Sequence, residues 1–204
     1  DHCKDLDVIQ GCIDAGWTSV MFDGSALPFK ENIRQTKMAY DLTTEAGVGL
    51  EAEIGAIGGT EDDKFVAEDD AILAVVDDCV EFCRNFPDLA VFAPAIGTAH
   101  GVYKGEPKIA YDRLEEITSL VDIPIALHGG TGLSPDQFSR CIKSGCAKVN
   151  ISTMHKLQFI EGFTALKKDK PNLGEPIPFI DAQYEQMKSG VKDMIALFSS
   201  AGKA

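Results

Sequence analysis

The chain has 204 residues, 45% of them hydrophobic and 25% charged, with 19 Lys+Arg against 32 Asp+Glu for a formal charge of −13. These proportions suit one globular core and exclude a disordered chain, and 19 unpatterned glycines exclude a collagen-like one. An acidic surface repels phosphate backbones, and no apolar run approaches the ~18 residues of a membrane span, so neither nucleic acid nor membrane is an expected partner.

Short apolar runs alternate with amphipathic stretches along the chain. Leu6, Ile9 and Ile13 recur at helical spacing, and Gly16 closes that segment. Ser19-Val-Met-Phe22 reads as a strand. Residues 28–46 read as a helix carrying Ile33, Met38 and Leu42, stopped by Gly47, and 48–53 as a strand. A helix is expected over 69–85 from the spacing of Ile72, Val76, Cys79, Val80 and Cys83. A buried strand at 89–95 and a helix at 111–120 follow, then a strand at 124–128. Ser134 and Pro135 have the chemistry of an N-cap and first helical residue for a helix to Ser144. Lys148-Val-Asn-Ile151 reads as the last strand, followed by helices from Met154 to about Lys168 and from Asp181 to Phe198.

Strand followed by helix, repeated without a linker or internal repeat, predicts one α/β domain over residues 1–204 with parallel strands covered by helices. In such folds chemistry gathers at the carboxyl ends of the strands. Polar residues fall there five times: Asp23-Gly-Ser, Glu51 with Glu53, Gly97-Thr-Ala-His100, His128-Gly-Gly and Asn150-Ile-Ser-Thr153. Five such ends favour the mouth of a (β/α)8 TIM barrel over the single crevice of a doubly wound sheet. About five βα units are counted, and Asp1-His2 open the chain with no strand ahead of them. The expectation is therefore the C-terminal five units of a barrel, its first strands lying upstream.

His2, His100 and His128 fall at the chain start or at strand ends, and three imidazoles with an open fourth position form a common catalytic zinc arrangement. His155, beside Met154 at a helix start, reads as a packing or surface residue. Asp62-Asp63 and Asp69-Asp70 read as solvated acids. Glu53 ends an apolar strand, and the following run Gly58-Gly59-Thr60-Glu61-Asp62-Asp63 has the composition of a mobile loop that delivers a carboxylate. The glycine turn at 129–132 and the segment 150–153, each ahead of a helix, suit an oxyanion such as phosphate, which a chain of this charge must hold locally through N–H groups, a metal and Lys104. Cys3, Cys12, Cys79, Cys83, Cys141 and Cys146 read as buried free thiols of a reducing cytoplasm, with Cys79 and Cys83 a weaker candidate for half a metal site.

Asp1-His2, Ser19–Ser25, Glu51–Gly59 with Glu61-Asp62, Ala95–Gly105, Leu127–Gly132 and Lys148–Thr153 together resemble the class II, zinc-dependent ketose-bisphosphate aldolases, which include fructose- and tagatose-1,6-bisphosphate aldolases. The match runs in order along nearly the whole chain. The resemblance implies zinc on His2, His100 and His128, with Asp1 as acid/base at the aldol hydroxyl. It implies Asp23 and Glu53 as ligands of a second or displaced divalent ion, and Glu61 as the acid that exchanges a proton at the nucleophilic carbon. Thr60 departs from relatives with two consecutive acids here, which leaves the role to Glu61. Gly101, Gly129, Gly130, Thr131, Asn150, Ile151, Ser152 and Thr153 match the dihydroxyacetone-phosphate site, and nearby carbonyls bind a monovalent cation in some members. The family further implies a homodimer or homotetramer acting on a phosphorylated sugar and an aldehyde. A non-catalytic metal-binding relative and a zinc hydrolase are the alternatives from other classes. Release of an aldehyde, as opposed to inorganic phosphate, separates the hydrolase.

Overall fold

Five parallel strands carry the molecule, and a computed structural model describes them within residues 1–61, 64–66, 72–101, 103 and 105–203, with only the backbone path given for 58–61 and 64–66. In chain order the elements are α1 (Leu6–Asp14), β1 (Ser19–Phe22), α2 (Phe29–Ala46), β2 (Gly49–Ile54), β3 (Gly58–Glu61), β4 (Lys64–Val66), α3 (Val76–Asn85), β5 (Val91–Pro94), β6 (Ala99–His100), α4 (Tyr111–Leu120), β7 (Ile125–Leu127), α5 (Pro135–Lys143), β8 (Cys146–Val149), α6 (Thr153–Asp169) and α7 (Pro176–Leu197). The main sheet has the order β1-β2-β5-β7-β8, each pair parallel. It is an arc of about five units of the expected barrel.

Alternation along the strands divides the sheet into two chemically distinct faces. Phe22, Leu50, Ala52, Ile54, Phe92, Ile125 and Leu127 point to one side, where they form the core with Ile9 of α1, Phe82 and Phe86 beside α3, Leu114 and Ile117 of α4, and Phe138 of α5. The opposite side presents Met21, Glu51, Glu53, Ala93 and Ala126, following the register Met21↔Glu51 and Glu53↔Ala93. Burying the first set removes large apolar surface from water, at about 25 cal/mol per Å². The second set leaves a polar inner face for chemistry.

Local signals place most element ends. Ser134 and Gln137 form a reciprocal capping box at α5, with Pro135 in its first turn. Gly47 ends α2 in the left-handed region (φ 67°). Five expectations are corrected. The helix expected from Asp69 starts at Val76, because Ile72 instead bridges Ala56 and the Ala74 N–H bonds the Ala95 carbonyl. The buried face of α2 is Asn32, Thr36, Ala39 and Thr43, while Met38 is exposed. β8 ends at Val149, two residues short of Ile151, and α7 starts at Pro176, five before Asp181. Finally, the glycine run read as a loop contains β3, which joins β4 and β6 in a second, three-stranded sheet. Asp62, Asp63, Asp69, Asp70 and Lys104 lie outside the described residues.

All six cysteines are free, and Cys79, Cys83, Cys141 and Cys146 are buried. Burial pushes the Cys79 and Cys83 thiols up to about 12, and among the described residues neither joins a group of three that could hold a metal. Helices α6 and α7 pack so closely that a Cβ on Gly162 would lie 2.7 Å from the Ala182 carbonyl oxygen and the Gln183 Cα. Gly162→Val forces backbone apart, and urea unfolding is expected to register a loss of about 1–3 kcal/mol.

Candidate metal centre

Residues 1–3 run beside the end of β1: Cys3 bridges Phe22 in parallel, and the Asp23 N–H donates to the Cys3 carbonyl at 2.7 Å. This sets His2 over the inner face, at a left-handed φ of 49° that non-glycine residues seldom hold. His128 directly follows β7, and His100 is the last residue of β6. Three separate chain segments thus deliver three imidazoles to one place. Ring centroids lie 4.7 Å apart for His2–His128, 4.9 Å for His2–His100 and 6.0 Å for His100–His128. A nitrogen from each lies within 4.8 Å of the others.

The hydrogen-bond partners assign the ring protons. His128 Nε2 is 2.7 Å from Glu51 Oε1, so the N–H belongs there and Nδ1 carries the lone pair. His2 Nδ1 faces Asp23 Oδ2 at 3.3 Å and Glu53 Oε2 at 3.6 Å, which puts its N–H on Nδ1 and its lone pair on Nε2. Those two lone pairs meet at 2.9 Å. They repel unless a proton or cation lies between them, and His100 offers a third imidazole beside them. The donor set therefore fits a divalent ion of zinc's preference, three neutral imidazoles with an open position. A second group, His2 with Asp23 and Glu53, brings its ligand atoms equally close, and a third joins Asp1, Glu51 and His128.

The acids are built in, not solvated. Glu51 and Glu53 alternate on β2, so both face inward, 3% and 1% exposed. Burial would push the Glu51 carboxyl up, but the His128 N–H and the Lys148 ammonium, 2.6 Å away, more than offset this and hold it below the ordinary carboxylate value. Burial likewise holds His128 below the ordinary imidazole value, although Glu51 opposes that shift. Both directions describe a neutral imidazole donating to an ionised carboxylate. Asp23 Oδ1 accepts from the Ser25 N–H at 3.0 Å and the Ser25 hydroxyl at 2.5 Å.

The glycine turn and the segment before α6 converge. Gly101, Gly129, Gly130, Thr131, Asn150, Ser152 and Thr153 line one small cleft with His100 and His128. The Met154 N–H donates to the Thr131 hydroxyl at 3.3 Å, joining the two turns at the start of α6. A Cβ on Gly129 would lie 2.6 Å from the Ala99 carbonyl oxygen, so only glycine allows β7 to approach β6 here. Ile151 lines a larger neighbouring cavity of about 430 Å³ with Asp1, Lys148 and Asn150. Asp1 Oδ1 accepts from Asn150 Nδ2 at 3.2 Å. The backbone of Glu61 closes β3, whose Gly58 and Gly59 pair with Ala99 and His100. His155 Nδ1 lies 2.9 Å from Gln158 Oε1.

Residues that sequence patterns do not single out hold this arrangement. Tyr103 accepts from the Ala99 N–H and donates to the Gly129 carbonyl, both at 2.8 Å, clasping β6 to the turn after β7. Asn32 donates to the Glu53 carbonyl at 2.9 Å and accepts from the Thr36 hydroxyl at 2.9 Å. An asparagine inside an amphipathic segment reads as exposed, and only its buried neighbours reveal the role. Asn32→Ala leaves the Glu53 carbonyl unsatisfied and is expected to lower stability by about 1–3 kcal/mol in urea unfolding.

Residues 1–203 match the family model described as fructose-bisphosphate aldolase class-II. A sulfofructosephosphate aldolase of Alkalicoccus urumqiensis is 42% identical over all of this chain and 71% of its own length. A fructose-bisphosphate aldolase of Geobacillus stearothermophilus is 38% identical, again over all of this chain and 70% of its own length. Among solved structures, the YdjI aldolase of Escherichia coli K12 aligns with TM-score 0.84 at 29% identity, over the whole chain and 69% of that one. A putative fructose-1,6-bisphosphate aldolase of Coccidioides immitis aligns with TM-score 0.89 at 27% identity, over the whole chain and 71% of that one.

Proposed function

The chain belongs to the class II fructose-bisphosphate aldolase family, and on that premise we propose that it catalyses zinc-dependent, reversible aldol cleavage of fructose 1,6-bisphosphate to dihydroxyacetone phosphate and glyceraldehyde 3-phosphate. The observation that carries the reading is the convergence of His2, His100 and His128 beside a cleft lined by glycine turns. Those three histidines would hold the zinc ion, which when bound supplies a Lewis acid for the ketose carbonyl. Asp1 takes the C4 hydroxyl proton as the C3–C4 bond breaks; the C4 oxygen becomes the aldehyde carbonyl, and an electron pair is left at C3. Its exposed carboxylate, oriented by Asn150 at the edge of the larger cavity, supports this role. Glu61 returns a proton to C3, a role supported by the pairing of its strand with that of His100. Gly101, Gly129, Gly130, Thr131 and Asn150 to Thr153 take the dihydroxyacetone-phosphate end, where N–H groups at the start of α6 and the adjoining turn suit a phosphate.

His2, Asp23 and Glu53 serve a second or displaced divalent ion, a reading that rests on their mutual approach. A monovalent cation on nearby carbonyls belongs to the same proposal. Six free thiols suit a reducing compartment, the cytoplasm. Assembly as a dimer or tetramer is supported by exposed apolar side chains on the terminal helices, among them Ile160, Ile177 and Ile180. The sugar has a second reading. The relative at 42% identity carries sulfofructose phosphate in its name, which favours testing that ketose, and tagatose 1,6-bisphosphate, beside fructose 1,6-bisphosphate.

The decisive assay is aldehyde release from fructose 1,6-bisphosphate before and after chelation. Activity lost to the chelator and restored by zinc is expected; cleavage of only tagatose 1,6-bisphosphate or sulfofructose phosphate would move the substrate, and release of inorganic phosphate would end the aldolase reading. Asp1→Ala should lower kcat by about 10²–10⁴-fold with a smaller change in KM, and a variant turning over normally removes Asp1 from the mechanism. His100→Ala should lose zinc, measured as metal content after dialysis.

A further inference from the structure

Glu51 and Lys148 take no part in the steps above, yet they form an ion pair on the inner face. Glu51 uses both oxygens: Oε1 meets His128 Nε2 at 2.7 Å, and Oε2 meets Lys148 Nζ at 2.6 Å. The backbone has been adjusted to make this contact. β8 pairs with β7 as Ile125↔Cys146 and then Ala126↔Lys148, so Ala147 is an extra residue in the ladder. Cys146, opposite Ile125, packs into the core behind the sheet. With unbroken alternation Lys148 would follow it to that side. The bulge turns Lys148 to the inner face, opposite Ala126 and across the sheet from Glu51.

We propose that Glu51, anchored by Lys148, is a positioning residue that holds the His128 proton on Nε2 and its lone pair on Nδ1, and thereby sets how tightly the three-histidine site retains a divalent cation. Among the described residues, the other carboxylates at the site face other groups: Asp1 meets Asn150, Asp23 meets Ser25 and His2, and Glu53 faces His2 Nδ1 at 3.6 Å. Glu51 is the one at His128 Nε2. Without an acceptor there, the imidazole is free to move its proton to Nδ1 or to rotate, and either removes a donor from the cluster. A carboxylate behind a ligating imidazole also makes the ring a stronger base, and losing such a partner typically weakens metal binding about 10–100-fold. Lys148 acts one step further out, by keeping the Glu51 carboxylate in place.

The inference rests on the zinc reading of the preceding subsection, so its test separates the two. Zinc affinity of the full chain is measured by competition with a chromophoric chelator for the parent, Glu51→Met, Glu51→Gln and Lys148→Met. Glu51→Met is expected to bind zinc about 10–100-fold more weakly. Glu51→Gln, whose amide oxygen still accepts from Nε2–H, recovers part of that loss, and Lys148→Met loses less than Glu51→Met. A Glu51→Met protein with the affinity of the parent overturns this inference alone. A parent that binds no zinc overturns the metal reading and this inference with it. Should Glu51→Met fail to fold, the metal-free parent still decides the matter through the ¹⁵N resonances of His128. The proton is expected on Nε2, and finding it on Nδ1 overturns the proposal.

Discussion

Two imidazole lone pairs, on His2 Nε2 and His128 Nδ1, face each other at 2.9 Å, and the surrounding structure keeps them there. Left alone they would repel and the rings would turn away. Carboxylates behind both rings prevent this, Glu51 behind His128 and Asp23 with Glu53 behind His2. Glu51 and Asp23 are inexpensive to bury only because each carboxylate is itself bonded. Glu51 leads to Lys148 on β8, Asp23 to the turn after β1, and the Glu53 segment to Asn32 on α2. The polar inner face is a connected set whose outer members hold the inner ones.

The parallel sheet makes such a set possible. Parallel strands end on one side, so residues far apart in sequence arrive at one rim without any local motif joining them. Period-two alternation then puts Glu51 and Glu53 on the inner side while Leu50, Ala52 and Ile54 pack outward. One strand thus serves both the core and the chemistry, and a register slip of a single residue would exchange them.

Much of this was legible in the sequence because it rests on local chemistry. All five main strands, the Ser134 cap and the glycine stop at Gly47 follow from propensity and patterning. The strand-end histidines and glycine turns stand out because imidazoles and consecutive glycines are unusual after apolar runs. What stayed hidden depends on tertiary context. Gly58 and Gly59 have poor strand propensity, and they extend only because β6 supplies a pairing edge. Asn32 and Thr36 break the apolar reading of α2 because the face they occupy meets the Glu53 backbone, which needs donors. Lys148 could not be matched to Glu51 from spacing, since the bulge at Ala147 decides which side it takes.

The pairing of Gly59 with His100 has a thermodynamic consequence. The strand that ends at Glu61 and the strand that ends at His100 share hydrogen bonds, so neither relaxes independently. Free energy released when His100 is fixed by a ligand is divided between holding that ligand and ordering its neighbouring strand. On the zinc reading, linkage then runs both ways between the β3–β6 pairing and the ion at the histidines. On that reading, changes in β3 or β4 alone could retune this centre without replacing a single histidine.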